Sequence, residues 1–187
     1  FIPFFGAVVF FCVVACSNSA SESPENIVDV PDTPADTVPP VVPNVNVDSA
    51  IASLDLVEIR SSGKSVYLGT DVASAKADER PRMKVEFDYD FAIGRREVTC
   101  GEFNVVMKGA SKLEIACEND SLPVADVSLF DAVLFVNAQS KALKMDTAYT
   151  YTRALFGTDG HCTSLEGLSF KSQSDGLRLP TEAEWMY

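Results

Sequence analysis

The stretch from Met83 to Ile93 reads MKVEFDYDFAI, and within it Met83, Val85, Phe87, Tyr89, Phe91 and Ile93 alternate with Lys84, Glu86, Asp88 and Asp90. Successive side chains of a strand point to opposite faces, so unbroken alternation over this length predicts a strand with one wet face. Asp88 and Asp90 fall on that wet face. With no third ligand nearby, they read as solvated carboxylates rather than a metal site. Upstream, LDLVEIRSSGKSVYLGTD, from Leu54, reads as two short strands around a Ser-Ser-Gly turn.

Three helix starts follow one grammar. In VTCGEF, Thr99 is the N-cap and Glu102 follows three residues later, a capping box, with Val98 and Phe103 at the staple positions. Phe103, Val106 and Met107 then share a face. VSLFDAVLFVNAQS repeats the pattern with Ser128 and Asp131, and its expected core stripe is Leu129, Val133, Val136 and Ser140. PTEAEW repeats it with Thr181 and Glu184, and Pro180 keeps its own predecessor out of the helix. Between the last two starts, Tyr149 and Tyr151 suggest a short strand, and Gly157, Gly160 and Gly167 mark turns. There is no βαβ rhythm and no glycine-rich phosphate loop, so the expected class is α+β with much loop.

The first fifteen residues, FIPFFGAVVFFCVVA, carry no charge. A membrane-spanning helix wants about 20 such residues, so the run suits the apolar region of a signal peptide better. It ends in VVAC, Val13 to Cys16, which is similar to a bacterial lipobox. Cleavage before Cys16 would leave a lipidated N-terminal cysteine and remove Cys12. The alternatives are a plain secretory signal or a stop-transfer anchor. The lipobox is favoured because a polar segment begins directly afterwards. From Ser17 to Asp48 that segment holds six of the ten prolines and six acids, with no Lys or Arg. Such a chain cannot bury enough apolar surface to offset ordering, and it reads as an extended tether. The expected organisation is a signal peptide over residues 1–16, a disordered tether over 17–50 and a folded domain over 51–187. An outer-membrane lipoprotein is the expected localisation, because Ser17 rather than Asp follows the cysteine. The net charge of −12 speaks against nucleic-acid binding, which needs clustered Lys and Arg.

After such processing, Cys100, Cys117 and Cys162 remain with Cys16, and an exported compartment permits disulfides. Three thiols allow one bridge with one left over, or pairing with a part of the protein outside this sequence. Cys100 with Cys117 is favoured because both lie around one helix, although the sequence does not choose. A reactive Cys100 thiolate at a helix N-terminus is the sharper alternative. His161, the only histidine, adjoins Cys162 in TDGHCTS. One His and one Cys fall short of a zinc site, and adjacent residues point apart, so an exposed loop or a disulfide position is expected. Asp159 and Asp175 flank this loop and could help bind calcium, but isolated acids in turns read first as turn formers.

ERPRMKVEFDYDFAIGRREVTCGEF, then PVADVSLFDAVLFVNAQS, then AYTYT, then GLRLPTEAEWMY, in that order, resemble the sulfatase-modifying-factor family, the formylglycine-generating-enzyme domain. The resemblance runs from about Leu54 to Tyr187. The chain departs from the family pattern at SGKSVYLG, Ser62 to Gly69, and at Cys100, where Asn is common. RLPTEAEW is the most specific string. The resemblance implies an irregular C-type-lectin-like fold, incomplete at the C-terminus. It implies a structural signature in Arg178, Leu179, Pro180, Thr181, Glu182, Glu184 and Trp185. It also implies that the redox cysteines, and the copper and calcium of the complete domain, lie downstream, leaving no catalytic residue and no metal site in this stretch. A helix ended after one turn would leave Trp185 and Met186 short of neighbours, so marginal stability is expected. Two functions fit. One is a lipid-anchored, non-catalytic module that binds protein or polysaccharide or builds an envelope assembly. The other is an oxidase that converts a sulfatase cysteine to formylglycine.

Overall fold

The computed structural model describes residues 13–16, 54–111 and 113–187. The expected tether lies outside the described residues, as does most of the expected signal peptide. Among the described residues, nine strands and three α-helices run in the order β1 (Val13–Cys16), β2 (Leu56–Ile59), β3 (Ser65–Leu68), β4 (Met83–Glu86), β5 (Asp90–Gly94), α1 (Cys100–Ala110), α2 (Leu129–Ala142), β6 (Tyr149–Thr150), β7 (Arg153–Phe156), β8 (Cys162–Glu166), β9 (Ser169–Phe170) and α3 (Glu182–Met186), with one 3-10 turn at Ala77–Glu79. The class is α+β. All strand pairs among the described residues are antiparallel and the sheets are small: β1-β5-β2, β3-β4, β6-β9 and β7-β8. In the largest, β5 is central, with Val13 opposite Ile93 on one side and Val57 opposite Ile93 on the other.

The alternating run from Met83 to Ile93 is not one strand. It breaks after Glu86 and resumes at Asp90 in a different sheet. The cause is the turn before β3. Gly63 N–H donates to the Phe87 carbonyl at 2.8 Å and Phe87 N–H donates to the Lys64 carbonyl at 2.9 Å. The Ser61 hydroxyl donates to the Tyr89 carbonyl at 2.6 Å, and the Asp90 carboxylate accepts Ser62 N–H at 2.8 Å. These bonds satisfy backbone groups that a sheet partner would otherwise take. Gly63 adopts φ +75°, a conformation that favours glycine at this turn. The two strands flanking the Ser-Ser-Gly turn therefore belong to different sheets. Apolar alternation survives in the packing, since Phe87 and Phe91 are both buried while Met83, at the outer end, is exposed.

Two apolar clusters result. The larger joins α1, α2 and β8 through Phe103, Met107, Val133, Phe135, Val136 and Leu165. Phe103 and Phe135 stack with centroids 5.2 Å apart and so lock the two longer helices together. The smaller joins Phe87 and Phe91 to Ala183 of α3, with Ile59, Val66 and Val85 around them. Helix α2 departs from its expected stripe. Every residue from Asp131 to Asn137 is buried, whereas Leu129 is 58% exposed. A helix covered on all sides needs no single apolar face. Leu129, as the first helical residue, sits at the tip beyond that cover.

Candidate functional site

All three α-helices among the described residues begin with a capping box, and each cap acid makes a second contact. In α1, Thr99 accepts from Glu102 N–H and Glu102 accepts from Thr99 N–H. Glu102 also meets Arg96 bidentately, at 2.6 and 3.1 Å. Burial works to raise its pKa, but Arg96 and Thr99 outweigh burial and hold the carboxyl below the usual range.

In α3 the same device is buried. Arg178 and Glu184 are 6% and 4% exposed. Arg178 Nη1 donates to Glu184 Oε2 at 2.7 Å and to the Leu179 carbonyl at 3.1 Å, while Nη2 pairs with Oε1. Glu184 also accepts Thr181 N–H at 2.7 Å and the Tyr89 hydroxyl at 2.9 Å. The Tyr149 hydroxyl accepts Leu179 N–H at 3.3 Å. Burial pushes Glu184 toward the neutral acid, yet the Arg178 and Thr181 hydrogen bonds, the guanidinium charge and Tyr89 together keep its pKa depressed. Burial first, and then the Glu184 carboxylate, raises the Tyr89 phenol. Arg178 and Glu184 are thus the charged centre of a hub that joins Tyr89, β6 and α3. Leu179 and Pro180 are half-buried beside it, and Glu182 and Trp185 lie on the exposed side of α3. Trp185, Met186 and Tyr187 are each about half exposed, and Tyr187 stacks edge-on against Phe87 at 5.3 Å.

A third cluster forms where α2 meets β8. Asp131 is fully buried. Its Oδ2 accepts Ser128 N–H at 2.9 Å and the Ser128 hydroxyl at 2.8 Å, and it faces His161 Nδ1 at 2.8 Å. Its Oδ1 accepts Cys162 N–H at 2.7 Å. Ser, His and Asp are all present, but both the serine and the histidine address the carboxylate. The Ser128 hydroxyl is also within reach of the Cys162 carbonyl at 3.0 Å, so it is not arranged as a nucleophile activated by the imidazole. His161 is therefore a tertiary tie rather than a plain loop residue. Asp159 and Asp175 accept backbone N–H groups of His161 and Asp146, as turn formers do.

Cys100 and Cys117 form a disulfide, and Cys162 is a buried free thiol. Burial raises the Cys162 pKa and keeps it protonated and inert. For Cys16 the structure gives backbone placement only, in β1. Beside the bridge lies a groove of about 490 Å³ between α1 and the loop that follows it. Asn104 braces that loop, accepting Ile115 N–H and donating to the Ile115 carbonyl, both at 2.8 Å. Asn104, Asn137 and Tyr89 carry long-range bonds that no local pattern in the sequence marks. Among the described residues, no group of three His, Cys, Asp or Glu side chains comes together as a metal centre would require.

The structure is thus an α+β domain of small antiparallel sheets with a buried arginine–glutamate pair inside RLPTEAEW. Residues 58–187 match the sulfatase-modifying factor enzyme 1-like domain, FGE-sulfatase, and the chain belongs to that family. No curated protein and no solved structure matches the chain significantly.

Proposed function

We propose that the chain is an exported, lipid-anchored protein whose sulfatase-modifying-factor domain serves as a non-catalytic binding or structural module of the bacterial envelope, on a C-type-lectin-like scaffold. The observation that carries this reading is the use made of the family signature. Both charged side chains of the buried pair are committed to holding Tyr89, Leu179 and the start of α3. A signature spent on scaffold leaves recognition to the surface, where protein or polysaccharide would bind. The lipobox-like VVAC and the proline-rich acidic segment after it supply the anchor and the spacer. Processing before Cys16 would remove Val13, Val14 and Ala15 from β1 and leave the β2–β5 pair.

The family match favours a second reading, a formylglycine-generating oxidase. The described cysteines do not fit its copper. Cys100 and Cys117 are consumed in a bridge, Cys162 is sealed in the core, and His161 is held on Asp131. This reading would need a cysteine pair outside the present sequence. One pair of measurements separates the readings. Cys16→Ala should move the protein from the detergent phase to the aqueous phase, and unchanged partition would count against the lipid anchor. The protein encoded by the whole gene, supplied with copper and a cysteine-containing sulfatase peptide, should produce no aldehyde. Copper-dependent aldehyde formation would sink the non-catalytic reading.

A further inference from the structure

We propose that the Cys100–Cys117 bridge is a thiol–disulfide exchange site, entered at Cys117, whose opening frees the loop that walls the groove beside α1. The two sulfurs are not equivalent. Cys100 is 4% exposed and belongs to the larger core cluster, whereas Cys117 is only partly buried and lies on the loop. An incoming thiolate therefore reaches Cys117 first. Its attack forms a new bond to the Cys117 sulfur and breaks the bridge, and the electron pair leaves on Cys100. Cys100 is the first residue of an eleven-residue helix. The positive end of a helix favours a departing thiolate, and a stabilised leaving group speeds exchange. The Asn104 amide donates to the Cys117 sulfur at 3.2 Å and polarises the atom under attack.

With a dithiol as reductant the step balances. Its second thiol displaces Cys117 from the mixed disulfide, and the reductant departs as a cyclic disulfide. Two electrons and two protons pass to the protein. Cys162 takes no part, being 1% exposed and held protonated by burial.

The loop is fastened at several points. Leu113 is buried in the core, Asn104 clasps Ile115, and the backbone N–H groups of Cys100 and Gly101 bind the carbonyls of Leu122 and Asp120. Reduction removes the covalent fastening between these points and leaves the helices packed. The groove wall contributed by Glu114 and Asp120 is then held to α1 by the Asn104 clasp and the backbone bonds alone, and opens more often.

The test uses the full chain under native conditions, with dithiothreitol added across a urea series below the unfolding transition. Alkylation and peptide mapping then follow each cysteine. The bridge should open at a rate that is flat in urea, while Cys162 should react only as the protein unfolds. Glutathione should leave its adduct on Cys117, with Cys100 found as a free thiol when the quenched protein is unfolded and alkylated. Amide exchange over residues 113–120 should quicken by about tenfold or more on reduction, with α2 unchanged. Opening of the bridge in step with Cys162 exposure would overturn the proposal, as would an adduct on Cys100 or unaltered exchange in the loop.

Discussion

Glu184→Gln isolates the hub. The substitution keeps the shape of the side chain and removes its charge, leaving the Arg178 guanidinium at 6% exposure without its carboxylate. Breaking a buried ion pair from one side costs about 3–5 kcal/mol, because the remaining charge is neither solvated nor matched. That is a large part of the roughly 5–15 kcal/mol that holds a domain together. Two smaller perturbations calibrate it. Tyr89→Phe removes one hydroxyl donor to a charged acceptor and should cost about 1.5–3 kcal/mol. Thr181→Ala removes the α3 cap and should cost about 1 kcal/mol. Replacing both partners with apolar residues, Arg178→Met with Glu184→Leu, should cost less than Glu184→Gln alone, since no charge is stranded. The assay is equilibrium urea unfolding, read by circular dichroism and by the fluorescence of Trp185, the chain's one tryptophan and the neighbour of Glu184. A Glu184→Gln loss under about 1 kcal/mol, or a double variant as damaged as the single, would refute the reasoning.

Acid should unfold the domain through the same groups. Glu184 and Glu102 both titrate below their ordinary range when folded. Their contribution is therefore complete above the ordinary glutamate pKa and is lost as pH falls through the depressed folded values. Urea midpoints should drop on acidification, and Glu184→Gln should flatten that drop; an equally steep fall in the variant would contradict the assignment. Gly109→Ala, at an exposed position of α1 where an added methyl meets nothing within 4 Å, should stabilise by about 0.5–1 kcal/mol in the same unfolding assay. Gly176→Ala should do the reverse, because its methyl would lie 1.8 Å from the Asp146 carbonyl oxygen; a melting temperature at or above wild type would show that the backbone there can give way.

The helix entrances could be read from sequence because a capping box is local, with all its partners within four residues. Thr99, Ser128 and Thr181 each accept from the acid three residues on. What escaped was long-range. The run from Met83 to Ile93 has the period of one strand, but its break depends on bonds from Ser61, Ser62, Gly63 and Lys64, more than twenty residues away. Alternation reports which side chains are buried and says nothing of where the backbone changes partner. Arg178 could be expected to meet an acid, whereas the Tyr89 hydroxyl reaches Glu184 across 95 positions and leaves no trace in spacing. His161 likewise looked like a loop residue, because its partner Asp131 lies 30 positions away and already had a complete local role as a cap.

That doubling of roles bears on how the protein folds. Glu102, Asp131 and Glu184 each start a helix and at the same time fasten it elsewhere, to Arg96, to His161 and Cys162, and to Arg178 and Tyr89. A side chain shared in this way cannot complete one duty while the other is undone. Excised peptides covering these entrances should therefore stay largely coil, and in the intact chain helix initiation and domain assembly should be lost in a single sharp transition.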